Sequence, residues 1–177
     1  MTQEDKELLL KDLCARLPYG VIVRHADQLV DNDGNETGEF WYKRGYLCDI
    51  TTLDDMTTTI IESEGSDAEG YEHICFLERS LPYLRPMSSM TEEEILDLYK
   101  IAYDTWYSDS SYYKNEEWIT FRDSIQNNTL CFKSSIWLSD INKVIDWLNA
   151  HPFDYRGLIP KGLALEAKEG IYNIKEQ

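Results

Sequence analysis

The chain has 177 residues, of which 33 are acidic and 17 basic, for a formal net charge of −16. That excess of carboxylates excludes a surface that tracks a phosphate backbone or an anionic membrane, since both depend on Lys and Arg. A hydrophobic fraction of 42% and an aromatic fraction of 12% suffice for a buried core, which excludes whole-chain disorder, and no apolar run approaches the roughly 18 residues of a bilayer span.

Residues 3–17 read as a helix. Leu9, Leu10, Leu13 and Leu17 recur at helical spacing, Glu4, Asp5 and Glu7 sit where the macrodipole favours anions, and Thr2 is placed to cap. Pro18 and Gly20 end it. Over 20–62 the period changes. Val21 to Val23, Phe40 to Tyr42, Tyr46 to Ile50 and Thr57 to Ile61 are strand-like runs, and Asp33-Gly34 marks a hairpin tip. Residues 62–72 read as an exposed loop. Ile74 to Leu77 fits a strand or a helical turn equally.

Thr91 and Glu94 form a capping box that opens a helix over 91–107, with Ile95, Leu98, Tyr99, Ala102 and Trp106 on one stripe. Residues 108–116 are a polar loop, and a short helix over 117–125 carries Trp118 and Phe121 on one side. A last helix over 139–150 has Ser139 as its cap and Ile141, Val144, Ile145 and Leu148 as its stripe. His151-Pro152 closes it, because a residue before proline avoids the helical region. The segment from Phe153 reads as an irregular tail that packs Phe153, Tyr155, Leu158, Ile159, Leu163 and Leu165. These elements predict a single α+β domain over 1–177, with a small, mostly antiparallel sheet at about 20–62 against three or four helices.

Three segments, Lys11–Gly20 (KDLCARLPYG), Tyr83–Glu94 (YLRPMSSMTEEE) and Asp146–Leu165 (DWLNAHPFDYRGLIPKGLAL), carry a resemblance. By them the chain resembles a family of uncharacterised small proteins of gut bacteria and their phages or mobile elements. The resemblance spans most of the chain, with residues 26–80 alike only in type. It implies no reaction, ligand or fold, and no catalytic residue is carried over.

Cys14, Cys48, Cys75 and Cys131 have no metal-finger spacing and read as reduced, buried thiols. His73-x-Cys75 offers two ligand types, but His25 and Cys48 are remote in sequence, and no metal or cofactor is expected. Counting an EF-hand from Asp31 puts Glu36 and Tyr42 at the sixth and twelfth positions, where Gly and Glu are required. G-x-G-x-x-G, P-loop, G-x-S-x-G and H-E-x-x-H signatures are absent. His151, Asp154 and Arg156 bring a base, a carboxylate and a cation within six residues, the catalytic candidates of an enzyme reading. The alternative for them is to cap the helix and fix the tail.

Residues 49–78 hold nine acids and no Lys or Arg. Within that span Glu62, Glu64, Asp67 and Glu69, together with Tyr107, Tyr112 and Tyr113, are the candidate partner-binding residues, since carboxylates steer basic partners and tyrosines serve as binding hot spots. The polar, acidic N-terminus lacks signal-peptide features, so a cytoplasmic setting is expected. The reading is a non-enzymatic interaction protein of accessory, immunity or inhibitor type that takes a basic protein. A small enzyme around His151 and Asp154, and an acidic mimic of DNA, are the alternatives.

Overall fold

The computed structural model describes every residue except 31–32, 34, 54–55, 64–71, 104–115, 133–136 and 173–177. Glu64, Asp67, Glu69, Tyr107, Tyr112 and Tyr113 lie outside the described residues. The chain forms two compact units, one from Met1–Tyr83 with Pro160–Gln177 and the other from Leu84–Ile159. The class is α+β, as the alternation of periods predicts: a mostly antiparallel six-stranded sheet and four helices. No helix among the described residues is long and apolar enough to cross a membrane.

The first unit opens with α1 (Gln3–Arg16). Its start is fixed by a reciprocal capping box. The Asp5 amide donates to the Thr2 hydroxyl and the Thr2 amide to the Asp5 carboxylate, each at 3.1 Å. Hydrogen bonding from the Thr2 side chain, and then from the Thr2 amide, to the carboxylate holds the Asp5 carboxyl below its usual range. Leu9 and Leu13 are fully buried, and so are Asp12 and Arg16, paired one turn apart at 2.8 Å. A 3-10 turn over 17–19 ends at Gly20, whose φ of 66° favours glycine.

Six strands follow: β1 (Ile22–Val30), β2 (Glu36–Leu53), β3 (Met56–Ser63), β4 (Glu72–Phe76), β5 (Leu81–Leu84) and β6 (Leu165–Glu166), in the order β4-β3-β2-β1-β5-β6. The sheet therefore extends beyond residue 62 at both edges. β1 and β2 form the expected hairpin across 31–35, where Asp33 lies in a turn. Residues 62 and 63 belong to β3 rather than to a loop, because Glu62 pairs with Glu72. Ile74 to Leu77 divides: strand through Phe76, then a 3-10 turn from Leu77.

Register and alternation assign the two faces. His25, Trp41, Gly45, Leu47, Thr59, Ile61, His73 and Cys75 share the inner face. Arg24, Phe40, Tyr42, Arg44, Tyr46, Ile60, Glu62, Glu72, Ile74 and Phe76 share the outer one. The sheet coils until β1 and β4, two strands apart in order, touch through their inner faces. Gly45 sits on the inside of the curl: a Cβ there would overlap the Glu62 carbonyl and the Ile61 side chain. From Pro160 the tail belongs to this unit. The Tyr172 hydroxyl accepts from the Ile22 amide at 3.1 Å and donates to the Tyr83 carbonyl at 2.7 Å, and burial pushes its phenol pKa up.

The second unit contains α2 (Glu92–Tyr103), α3 (Glu116–Gln126) and α4 (Leu138–Ala150). Ile95, Leu98, Tyr99 and Ala102 pack with Trp118, Phe121, Ile125, Val144 and Leu148 in one apolar core. Tyr103, half-buried, packs against it too: its ring lies 4.6 Å from that of Tyr99. α4 starts one residue before Ser139. Trp137 is its N-cap, without a side-chain bond, and its carbonyl receives the Asp140 and Ile141 amides. Ser139 is thus inside the helix and does not cap it.

Candidate functional site

The His151 cluster is built by the end of α4. His151 adopts the extended conformation that Pro152 demands and its Nδ1 donates to the Trp147 carbonyl at 3.0 Å. Its ring stacks on Trp147 with centroids 4.0 Å apart. Buried Asp154 accepts from the Leu158 amide at 2.7 Å and the Ile159 amide at 2.8 Å, so each carboxylate oxygen is committed to the backbone. Arg156 lies 4.6 Å over the Tyr155 ring. Among the described residues no hydrogen bond joins His151 to Asp154. The bonds that are present cap a helix and pin the turns after it.

The inner face of the first unit makes a convergence that sequence spacing did not indicate. Fully buried His25 places Nδ1 3.6 Å from Cys75 Sγ, and its ring lies 5.0 Å from that of His73 and 6.1 Å from that of Trp41. Lys43 covers Trp41 from 4.2 Å. These residues are separated by up to 50 positions, and only the curl of the sheet brings them together. Cys48 does not join them. It is exposed at a bulge in β2 and bonds the Tyr46 carbonyl. No group of three or more His, Cys, Asp and Glu among the described residues is arranged to hold a metal ion. Cys14 and Cys131 are exposed as well, so the expectation of four buried thiols holds for Cys75 alone. Apolar neighbours do not bury a residue when they project to the other side of a strand or helix.

Among the described residues, the outer face of the sheet displays a group of exposed apolar side chains. Phe40, Tyr42, Tyr46, Met56, Ile74 and Phe76 are all more than a third exposed, and Ile74 reaches 70%. Glu62, the described member of the acidic candidates, lies here. Its cross-strand neighbours are Tyr46 on β2 and Glu72 on β4, and one pair further along Ile60 faces Ile74. Two carboxylates directly opposite each other destabilise a sheet. An exposed apolar pair beside them adds surface that water solvates poorly. Both features are relieved by a ligand that is cationic and partly apolar.

Compared with protein-family models, curated proteins and solved structures, the chain matches none.

Proposed function

We propose that the protein is a non-enzymatic interaction module that binds a basic protein partner through the outer face of β3 and β4. The observation that carries this is the opposed Glu62–Glu72 pair beside exposed Ile74. A Lys or Arg inserted between the two carboxylates removes their repulsion, and an apolar neighbour of that cation covers Ile74 and Ile60. The acidic span from 49 to 78, which includes Glu64, Asp67 and Glu69, adds steering charge to the same part of the chain. The apolar content of the face favours a protein over the DNA-mimic reading, which needs an unbroken stripe of carboxylates. The committed bonds of Asp154 favour it over an enzyme centred on His151 and Asp154.

An accessory, immunity or inhibitor-type role suits the small size, the acidity and the missing catalytic signatures, and is compatible with the resemblance to small proteins of gut bacteria and their mobile elements. All four cysteines are thiols and three are exposed, which fits the reducing cytoplasm.

Affinity capture from the native host tests the reading. The wild type recovers a defined basic protein. The double variant Glu62→Lys with Glu72→Lys loses it, and Ile74→Asp weakens it, while circular dichroism shows all of them folded. Capture of nothing above background, or capture that both variants leave intact, refutes the assignment.

A further inference from the structure

The same outer face carries a site of opposite charge at β1 and the start of β2. Arg24 on β1 and Arg79, in the turn after β4, line one cleft together with Ala26, Phe40, Tyr42 and Leu81. Each guanidinium rests on a ring. Arg24 lies 4.6 Å from the Tyr42 centroid, and Arg79 lies 4.7 Å from that of Phe40 and 5.3 Å from that of Phe76. A guanidinium stacked this way keeps its N–H donors in its own plane, directed past the ring, where a planar carboxylate or a phosphate meets two of them at once.

In a chain with 33 acids and 17 bases, an arginine without a carboxylate partner stands out. Among the described residues neither Arg24 nor Arg79 makes an ion pair. Glu78 reaches the edge of the cleft but is bonded to Lys6, and that bond holds its carboxyl below the usual range. Arg24 Nε is, in addition, buried without a hydrogen-bond partner, in a guanidinium that carries a full charge. Unmet buried donors are costly and uncommon in folded proteins. Two aromatic-backed cations facing one cleft, with no anion supplied by the described chain, form half of a recognition site.

We propose that the Arg24–Arg79 cleft binds the oxyanion of a small molecule, a phosphate ester or a carboxylate, with Phe40 and Tyr42 as its aromatic walls. The site is distinct from the Glu62–Glu72 surface in charge, so it stands or falls independently of the partner proposed above. Titrations at constant ionic strength with inorganic phosphate, phenyl phosphate, benzoate and neutral benzyl alcohol test it, read by the 15N-resolved Nε–H resonances of Arg24 and Arg79.

The expected result is saturable shifts of both resonances with phenyl phosphate or benzoate, at an affinity at least about tenfold above that of benzyl alcohol. The stronger of the two anions identifies the class, and weaker binding of inorganic phosphate measures the contribution of the rings. Arg79→Gln lowers the affinity about tenfold or more, and Arg79→Lys, which keeps the charge without the planar fork, restores only part of it. Arg79 is half-buried in a turn outside the paired strands, so its variants are chosen for the test. Absence of saturation with either anion, benzyl alcohol binding as tightly as they do, or an unchanged affinity in folded Arg79→Gln overturns the proposal.

Discussion

Asp154 separates a structural role from a chemical one at the scale of a single residue. Its carboxylate meets two consecutive backbone amides, those of Leu158 and Ile159, and it is almost fully buried. Deleting an acceptor that serves buried donors leaves those donors without water or protein, at a cost of about 1–3 kcal/mol for each one left unmet. Asp154→Ala is therefore expected to lower the unfolding free energy by about 2–4 kcal/mol, since the turns it organises relax in part. His151→Gln loses one bond to the Trp147 carbonyl and a ring stack, at a cost of about 1 kcal/mol. Urea denaturation of both variants measures the difference. Equal costs for the two, or an Asp154→Ala cost under about 0.5 kcal/mol, would show that the carboxylate does not organise the turns. Arg85, in the same unit, works in a comparable way. It donates to both Glu94 oxygens at 2.7 and 3.0 Å, lies 4.3 Å from the Phe153 centroid, and its backbone exchanges hydrogen bonds with Pro152 and Asp154.

Among the elements, α2 shows what local spacing can and cannot declare. Its capping box is complete: the Glu94 amide donates to the Thr91 hydroxyl at 3.2 Å and the Thr91 amide to the Glu94 carboxylate at 2.8 Å. Burial by itself raises the Glu94 carboxyl, but the Arg85 guanidinium and the Thr91 amide outweigh it and hold the group below its ordinary value of 4.5. A carboxyl whose folded pKa lies below the unfolded one binds protons more weakly in the native state. Its contribution is thus fully present above about pH 4.5 and is lost as the pH falls through the lower folded value. Glu94→Gln is expected to cost about 1 kcal/mol at pH 7, with the gap to wild type closing in acid. Thermal or urea unfolding between pH 7 and 3 checks this, and a gap that stays constant or widens in acid contradicts it. The box was legible because both partners lie within one turn, as were the β1–β2 hairpin and the α3 aromatic pair. Three features were not. Ile74 to Leu77 is settled by pairing with β3, which no local pattern carries. Ser139 lost the cap of α4 because the helix begins at Leu138. Cys48 is exposed because it occupies a bulge beside inward-facing Leu47, and a bulge depends on two strands together. The candidate site shows the same limit: Glu62 and the acidic span were legible as composition, whereas the opposition of Glu62 to Glu72 follows only from the register of β3 on β4, and the approach of His25 to Cys75 exists only once the sheet has coiled.

Over the whole molecule, the net charge of −16 is distributed unevenly between the two units. The unit of residues 1–83 and 160–177 has 21 acids and 10 bases, a net of −11, and the unit of residues 84–159 has 12 and 7, a net of −5. The excess lies on one segment, residues 49–78, which contributes β3 and β4 and the opposed Glu62–Glu72 pair. Like charges on a solvent-exposed face repel through water, and salt screens them with a Debye length of about 10 Å at 0.1 M. Raising the ionic strength therefore relieves repulsion at β3 and β4, whereas in the second unit it weakens the favourable Arg85–Glu94 pair. The two units are expected to respond to salt with opposite sign. Native-state hydrogen exchange at about 0.02 and 0.5 M NaCl resolves them by residue: protection of the Ile60, Ile61 and Ile74 amides rises by about 0.5–1 kcal/mol, while protection in α2 is unchanged or falls. The substitution Glu72→Lys should reverse the sign of the pair's salt effect at β3 and β4, because the pair becomes attractive and salt then weakens it. A uniform rise across both units would instead point to salt acting on apolar burial throughout the chain, and would leave the Glu62–Glu72 opposition without the energetic weight that the proposed binding face requires.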